Sequence, residues 1–427
     1  MTPAGAMSRV VRLAYGTDGL DIRVPSMATV VTPRHQTAAI DPMAVLRTAL
    51  DEPVEGLPLR LLVRPGLRVA ISVCDVTRPQ PRQQMLAAIA EILDGVIRPE
   101  DVVVLIATGT HRASSDAERR AMLGADVLDR WRVLDHDSRA RDTLVDLGMV
   151  GDVPVSLARE WVDADIRITT GFVEPHFFAG FSGGPKMVAP GLAGLDTVLE
   201  LHNARRIADP RATWGITYGN PVHDAVRAIA AATRVDFALD VLIDDEHCIT
   251  RAFGGEILAM HAAATVAARA EAMQPVRAPF DIVVTTNSGY PLDQNLYQAV
   301  KGMSAAASVV RDGGTIICAA ECRDGLPDHG SYGTMLDFAG SPAELMRRIL
   351  AAPTTTPDQW QVQVQARIQA KARVLLKADG LSDATVRRAH LEPVDDVTDA
   401  LERLLARDPG ATVCVLPEGP QTIPYVA

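Results

Sequence analysis

Three histidines and one lysine are the residues of this chain best suited to chemistry. His111 ends the segment ATGTH, His176 lies in GFVEPHFFAGFSGGPKMVAPG (171–191), Lys186 lies in that same stretch, and His202 follows in LDTVLELHN. Histidine titrates near neutral pH, so two of them across one substrate could take and return a proton, as inversion of a stereocentre requires. Two unrelated loop histidines are the plain alternative. Lys186 has apolar neighbours, and desolvation there would lower its pKa and free the amine for covalent chemistry. Composition alone favours a solvated lysine instead. His202 lies beyond Leu199 and Val198 at helical spacing, so it points inward with Leu195, Val198 and Leu199. Taken alone it reads as a hydrogen-bonded core histidine at least as well as a metal ligand, because a metal site needs converging partners.

The loop around Lys186 is unusual in its own right. Gly180, Gly183 and Gly184 would allow close backbone approach to a ligand, and consecutive amides can hold a phosphate. It is not a standard P-loop, since Pro185 separates Gly184 from Lys186 and Met187 takes the hydroxyl position. Four phenylalanines, Phe172, Phe177, Phe178 and Phe181, argue for a packed functional loop over a flexible surface one. Arg78 in DVTRP could grip a carboxylate bidentately, and Gln298 and Lys301 share one face of a helix in DQNLYQAVKG. A salt-bridged arginine and a solvated lysine are the dull readings of those two cations. Cys318 and Cys322 read as structural thiols, and His223, after Asn220 and Pro221, sits near a helix start.

These residues need a scaffold, and the pattern supplies one. Short β-branched runs alternate with longer helical ones, the mark of an α/β fold with largely parallel sheets covered by helices. Leu67–Asp75, Asp101–Thr110 and Asp165–Phe172 are nearly continuous apolar runs, as expected for strands buried on both faces. Each ends in polar residues, and ligands in such sheets bind beyond the carboxyl ends of strands. PRQQMLAAIAEILDG (81–95) has the spacing of a crossover helix. The Pro-punctuated stretch Met273–Phe280 reads as an interdomain linker, which divides the chain into α/β domains at 1–274 and 275–410. Residues 411–427 read as a strand and a Pro-rich tail that could complete the first domain. A strand is expected in Gly313–Cys322, and long helices over 342–406. The active site is expected in the crevice between the domains.

Composition limits the function classes. The 427 residues carry 42 basic and 53 acidic side chains, a net charge of -11 that disfavours nucleic acid or an anionic membrane as partner. No apolar run approaches the roughly 20 residues of a membrane span. The five cysteines are scattered, and no secretory segment is recognisable at the N-terminus, which together read as a cytoplasmic protein. Aromatic residues make up only 4%, so the ring cluster around Lys186 stands out.

Taken together, DVTRP (75–79), ATGTHR (107–112), EPHFFAGFSGGPK (174–186), LHN (201–203) and SGYPLDQNLYQAVKG (288–302) resemble the nickel-pincer lactate racemase family. The resemblance implies a pyridinium mononucleotide with two sulfur-containing arms, bound covalently at Lys186. It implies that His202 is the protein's one ligand to nickel, because the cofactor supplies two sulfurs and a ring carbon toward a square-planar site. His111 and His176 match the acid/base pair. Asp75, Val76, Thr77 and Arg78 match a cofactor-contacting turn, while Arg78, Gln298 and Lys301 match substrate-orienting residues. Tyr297 and Trp360 are read as further lining positions. The implied reaction is racemisation or 2-epimerisation of a small 2-hydroxy acid by hydride transfer through a 2-keto acid, in a protein loaded by cofactor-biosynthesis proteins. Two other readings stay open: a zinc hydrolase using Asp75, His111, His176 and His202, and a binding homologue that turns nothing over.

Overall fold

Val, Ile and Leu dominate the runs that become strands, and their branched side chains suit a sheet buried on both faces. The computed structural model describes residues 7–34, 36–327 and 330–427. Twelve strands form two six-stranded sheets, each the core of one compact unit.

The first sheet runs Ile249–Gly255, Phe237–Ile243, Ile166–Phe172, Val69–Cys74, Val102–Ala107, Arg132–Asp135. All neighbours are parallel except the edge pair Phe237–Ile243 and Ile249–Gly255. From Val69–Cys74 the chain moves outward through the next two strands, then returns to the opposite side of Val69–Cys74 with Ile166–Phe172. That reversal makes a switch point between Val69–Cys74 and Ile166–Phe172, where connections diverge and where ligands bind in sheets of this kind. The first crossover helix spans Arg82–Leu93, inside the expected 81–95. Ile71, Val73, Met85, Ile89, Ile168 and Leu239 belong to one apolar cluster that joins this sheet to its helices.

The second sheet is wholly parallel: Glu392–Pro393, Arg373–Lys377, Val310–Ala319, Phe280–Thr286, Val413–Leu416, Thr29–Val30. Its switch point lies between Phe280–Thr286 and Val413–Leu416, and helix Leu296–Ala307 follows the first of these strands. The described residues among 1–34, together with 203–208 and 272–427, form this unit, while those among 35–202 and 209–271 form the other. Residues up to 34 therefore group with 203–208 and 272–427 and not with most of the 1–274 segment. Thr29–Val30 is only two residues long, too short to show any periodicity in sequence. The stretch read as a linker contains a strand, Met273–Val276, paired in parallel with Ile423–Val426. The C-terminal residues thus stay with the second sheet. Helices do not fill 342–406 either, because Arg373–Lys377 and Glu392–Pro393 interrupt them as strands.

Ile71 is fully buried in the central strand of the first sheet. Ile71→Ala should cost about 2–5 kcal/mol. Urea unfolding followed by far-UV dichroism checks this, and a loss well under 1 kcal/mol would contradict the tight packing described.

Candidate active site

The strand Val69–Cys74 delivers the DVTRP turn to the switch point. Arg82, at the start of the next helix, organises that turn. It is 5% exposed, and its Nε donates to the Cys74 carbonyl at 2.8 Å. Its Nη1 donates to the Gln80 carbonyl at 3.1 Å and its Nη2 to those of Arg78 and Asp75. One rigid fork therefore bonds four carbonyls of the turn, two of which, Asp75 and Gln80, also accept backbone amides. Gln80 adds a bond from the Cys74 amide to its Oε1 at 2.7 Å and one from its Nε2 to Thr170 Oγ1 at 2.9 Å. Sequence reading passed over both residues, although a cation and an amide flanking the start of an apolar helix were a visible signal.

Asp75 is the buried product of this turn. Its Oδ2 accepts from His111 Nδ1 at 2.6 Å and its Oδ1 from the Thr77 hydroxyl at 2.8 Å. Burial pulls the Asp75 carboxyl upward, but the hydrogen bond and charge of His111, with Arg78 and Thr77, outweigh it and hold the group below the usual carboxylate range. An ionised carboxylate can only accept, so His111 Nδ1 carries a proton, and when the ring is neutral its lone pair is on Nε2. In this structure Asp75 orients His111. Val76 and Thr77 are exposed and Arg78 is half-buried.

His176 shows the opposite arrangement. It sits in a short antiparallel pairing of Pro175–His176 with Gly180–Phe181. Its Nδ1 accepts from the Ala179 amide at 3.2 Å and lies 3.5 Å from that of Phe178, so its proton is on Nε2. Phe177 stacks on the ring at 5.0 Å, and Phe178 meets it edge-on at 4.5 Å. Phe178 also stands edge-on to His202 at 5.4 Å, so one phenyl ring separates the two imidazoles.

His202 caps helix Leu195–Leu201 and is 8% exposed. Its Nδ1 donates to the Val198 carbonyl at 2.7 Å, so in the neutral ring the lone pair is on Nε2. Burial, and then the nearby Lys186 charge, push its pKa down to about 4, so it is a neutral imidazole at physiological pH. Lys186 lies in the turn Gly184–Met187 and is half-buried. Its charge also contributes to lowering His223 and His261, after burial.

The glycines of this loop serve a purpose other than the expected ligand cradle. A Cβ on Gly180 would stand 2.0 Å from the Ile216 carbonyl oxygen, one on Gly183 2.5 Å from the Asp240 carboxylate and one on Gly184 2.4 Å from the His261 ring. The space beside them is filled by protein, so the small residues are needed for packing of the loop onto its own domain. Asn220, fully buried, donates to the Phe178 carbonyl at 2.8 Å and further pins the ring cluster.

In the unit built on the second sheet, Tyr297, Gln298 and Lys301 lie on a half-buried face of helix Leu296–Ala307, while Leu296, Ala299, Val300 and Met303 are buried. Asn295 caps this helix by accepting from the Gln298 amide at 3.1 Å. Trp360 is buried in helix Gln359–Lys371, and its neighbour Gln361 donates to the Tyr297 carbonyl. Cys318 and Cys322 are buried free thiols, and burial pushes Cys318 up to about 12, which makes it inert. Among the described residues no three His, Cys, Asp or Glu side chains gather as a metal site. The four-residue zinc set is therefore not assembled, and Asp75 is already committed to His111 and Thr77.

Residues 15–215 match the lactate racemase N-terminal domain and residues 276–423 the lactate racemase C-terminal domain. The chain belongs to the lactate racemase family. It is 34% identical over 398 residues to the lactate racemase of Thermoanaerobacterium thermosaccharolyticum, covering 89% of both chains. It is 33% identical over 377 residues to that of Lactiplantibacillus plantarum, covering 87% of this chain and 88% of the relative. The solved structure of the T. thermosaccharolyticum lactate racemase apoprotein superimposes with a TM-score of 0.90 at 32% identity, covering 97% of this chain and 100% of that one. A Thermotoga maritima protein with a TM-score of 0.66 at 17% identity, covering 92% of this chain and 100% of its own, shares the fold. As a member of this family the chain is an isomerase of the racemase type. No helix among the described residues is long and apolar enough to cross a membrane.

The buried histidines give a pH test. His202 and His261 are pushed down to about 4 and His223 to about 2, in each case chiefly by burial. Unfolded histidine titrates near 6.5, so below that pH the unfolded chain binds protons the native chain refuses, and stability falls as pH drops. Asp240, which burial raises to about 7, opposes this by favouring the native state at lower pH, but it is one group against three. The urea midpoint should therefore fall from pH 7 to pH 5. His223→Gln should flatten that slope by up to ~1.4 kcal/mol per pH unit. An unchanged slope would show that His223 takes up its proton in the native state.

Proposed function

We propose that this chain racemises lactate, or 2-epimerises a related 2-hydroxy acid, by reversible hydride transfer to a nickel-pincer nucleotide bound at Lys186, through a 2-keto acid. The observation that carries the reading is the opposite setting of the two histidines: His111 Nδ1 is bonded to the Asp75 carboxylate, which favours its imidazolium when it gains a proton, and His176 Nδ1 accepts from the Ala179 amide. A racemase needs one proton acceptor and one proton donor, roles that a neutral imidazole and an imidazolium fill and exchange. The α-hydrogen beside an ionised carboxylate is a very weak acid, so direct abstraction by imidazole would face a large barrier, and its departure as hydride avoids a carbanion.

The residues present fit the cofactor. His202 is neutral with its Nδ1 occupied, the state in which imidazole Nε2 binds a metal, and the Lys186 charge is felt at that ring. His202 would hold the nickel and Lys186 the acyl arm. When bound, the nucleotide supplies the hydride acceptor. The protein's own part is proton movement and orientation. His111 Nε2 takes the hydroxyl proton as the carbon is oxidised, and the buried Asp75 carboxylate stabilises the resulting imidazolium. His176, as imidazolium, delivers its Nε2 proton to the same oxygen when the C–H bond is remade on the other face, and is left neutral. For the opposite enantiomer the roles exchange, and both rings return to their resting state by exchange with solvent. Arg78, Gln298 and Lys301 are assigned to orient the substrate carboxylate and hydroxyl, with Tyr297 and Trp360 lining the site. The phenyl rings of Phe177 and Phe178 exclude water from the His176 side. Cofactor-biosynthesis proteins would load the enzyme in the cytoplasm, where its five free cysteines stay reduced.

Two measurements decide this. Protein co-expressed with the cofactor pathway should carry an adduct on Lys186 and about one nickel per chain, which follows from one His202 and one Lys186. Given single enantiomers of lactate and related hydroxy acids in heavy water, it should racemise one of them with the α-hydrogen retained. Solvent deuterium at that carbon would sink the hydride route.

Asp75→Asn removes the charge behind His111 while keeping its size. It should lower kcat by roughly 10²–10⁴-fold with the Lys186 adduct and nickel unchanged. Loss of the adduct with kcat per adduct preserved would assign Asp75 to cofactor binding instead.

A further inference from the structure

Behind the loop that presents Lys186 lie two buried side chains that none of the sequence motifs included. Asp240, fully buried in strand Phe237–Ile243, accepts from the Gly184 amide through Oδ2 at 2.6 Å. Its carboxylate also stands where a Cβ on Gly183 or Gly171 would be. His261, on helix Ile257–Ala272 and 3% exposed, bonds through Nε2 to the Ser182 carbonyl at 2.8 Å. Its ring fills the space beside Gly184 and stacks on His223 at 5.3 Å and 18°. The two bonds flank Gly183, which has a φ of 71°, and Gly184 follows with a φ of 50°. Glycines in that region have little intrinsic preference, so the direction of the chain entering Lys186 must be set from outside. Apolar packing would fill the space, but two directional bonds fix how the peptide planes are turned. Burying a carboxylate is costly, and burial raises Asp240 to about 7 although the Gly184 and Gly171 amides act to lower it. A residue kept at such expense for folding alone would be replaceable by an apolar one.

We propose that Asp240 and His261 are positioning residues for the Lys186 amine, fixing the Ser182–Gly184 main chain so that the amine is presented in one direction for cofactor attachment. The proposal rests on the assignment of Lys186 as the attachment point. It explains why the sequence carries Gly183–Gly184 two residues before the lysine, since any side chain there would displace the carboxylate or the imidazole.

The test compares variants of the full chain co-expressed with the cofactor pathway, with the Lys186 adduct read by peptide mass. Asp240→Leu should lower the fraction modified at least tenfold, and Asp240→Asn, which keeps an oxygen for the Gly184 amide, should restore it to within twofold. His261→Leu should likewise lose the adduct, and His261→Gln, which can still donate to the Ser182 carbonyl, should regain it. Phe237→Leu, a buried change in the same strand, shows what destabilisation alone does and should leave the fraction unchanged. Full modification of Asp240→Leu, failure of the Asn or Gln variant to restore it, or an equal loss in Phe237→Leu would each overturn the proposal. Should the unsubstituted protein itself carry no adduct, the attachment assignment has failed, and acetic anhydride labelling of the cofactor-free protein decides the positioning role. The labelling of Lys186 relative to Lys371 and Lys377 should then change at least threefold in the Leu variants, and an unchanged ratio would overturn it.

Discussion

A neutral imidazole presents one bare nitrogen, and the partner of the other nitrogen decides which one it is. The site turns on that constraint three times over. The Asp75 carboxylate accepts a hydrogen bond from Nδ1 of His111, the Ala179 amide donates to Nδ1 of His176, and the Val198 carbonyl accepts from Nδ1 of His202. One histidine type is thereby given three settings, its Nδ1 bonded to a carboxylate, an amide or a carbonyl. The settings come from a buried side chain, a loop amide and a helical carbonyl, so the surrounding backbone must be held firmly for any of them to persist.

Much of the buried polar structure does that holding. Arg82 spends its guanidinium on four carbonyls of the turn that carries Asp75, and Gln80 bonds that turn to Thr170 on the adjacent strand. Asn220 ties down Phe178, the ring between His176 and His202. Asp240 and His261 do the same for the turn that bears Lys186. Each of these groups is removed from water and would be costly without its bonds. The desolvation that keeps His202 neutral is the same physical effect that makes its neighbourhood expensive to build.

The parallel sheets and the positions of the polar turns were readable because strands buried on both faces leave continuous apolar runs such as 69–74 and 102–107. Family membership was readable because several separated motifs kept their order. Other features left no such trace. Thr29–Val30 is too short for a pattern, and Met273–Val276 carries a proline that suggests a linker, yet it pairs as a strand with Ile423–Val426. The glycines of 180–184 were read as space for a ligand, because a sequence shows that a side chain is missing and not what fills the gap. Asp240 and His261 sit amid ordinary strand and helix sequence, with nothing nearby to mark them.

The sequence by itself determined which residue types were available, their helical or extended setting, and the resemblance that named a reaction class. It determined that His202 faces inward, since its spacing from Val198 and Leu199 is fixed by the helix. Only the tertiary structure decided which nitrogen each histidine exposes, that Asp75 serves His111, and that the Lys186 loop is gripped from behind. Those outcomes depend on contacts between segments far apart in the chain, as between Asp75 and His111 or Asp240 and Gly184. Local periodicity reports how a segment is buried, whereas hydrogen-bond partners and desolvation are set by whatever the fold brings against it.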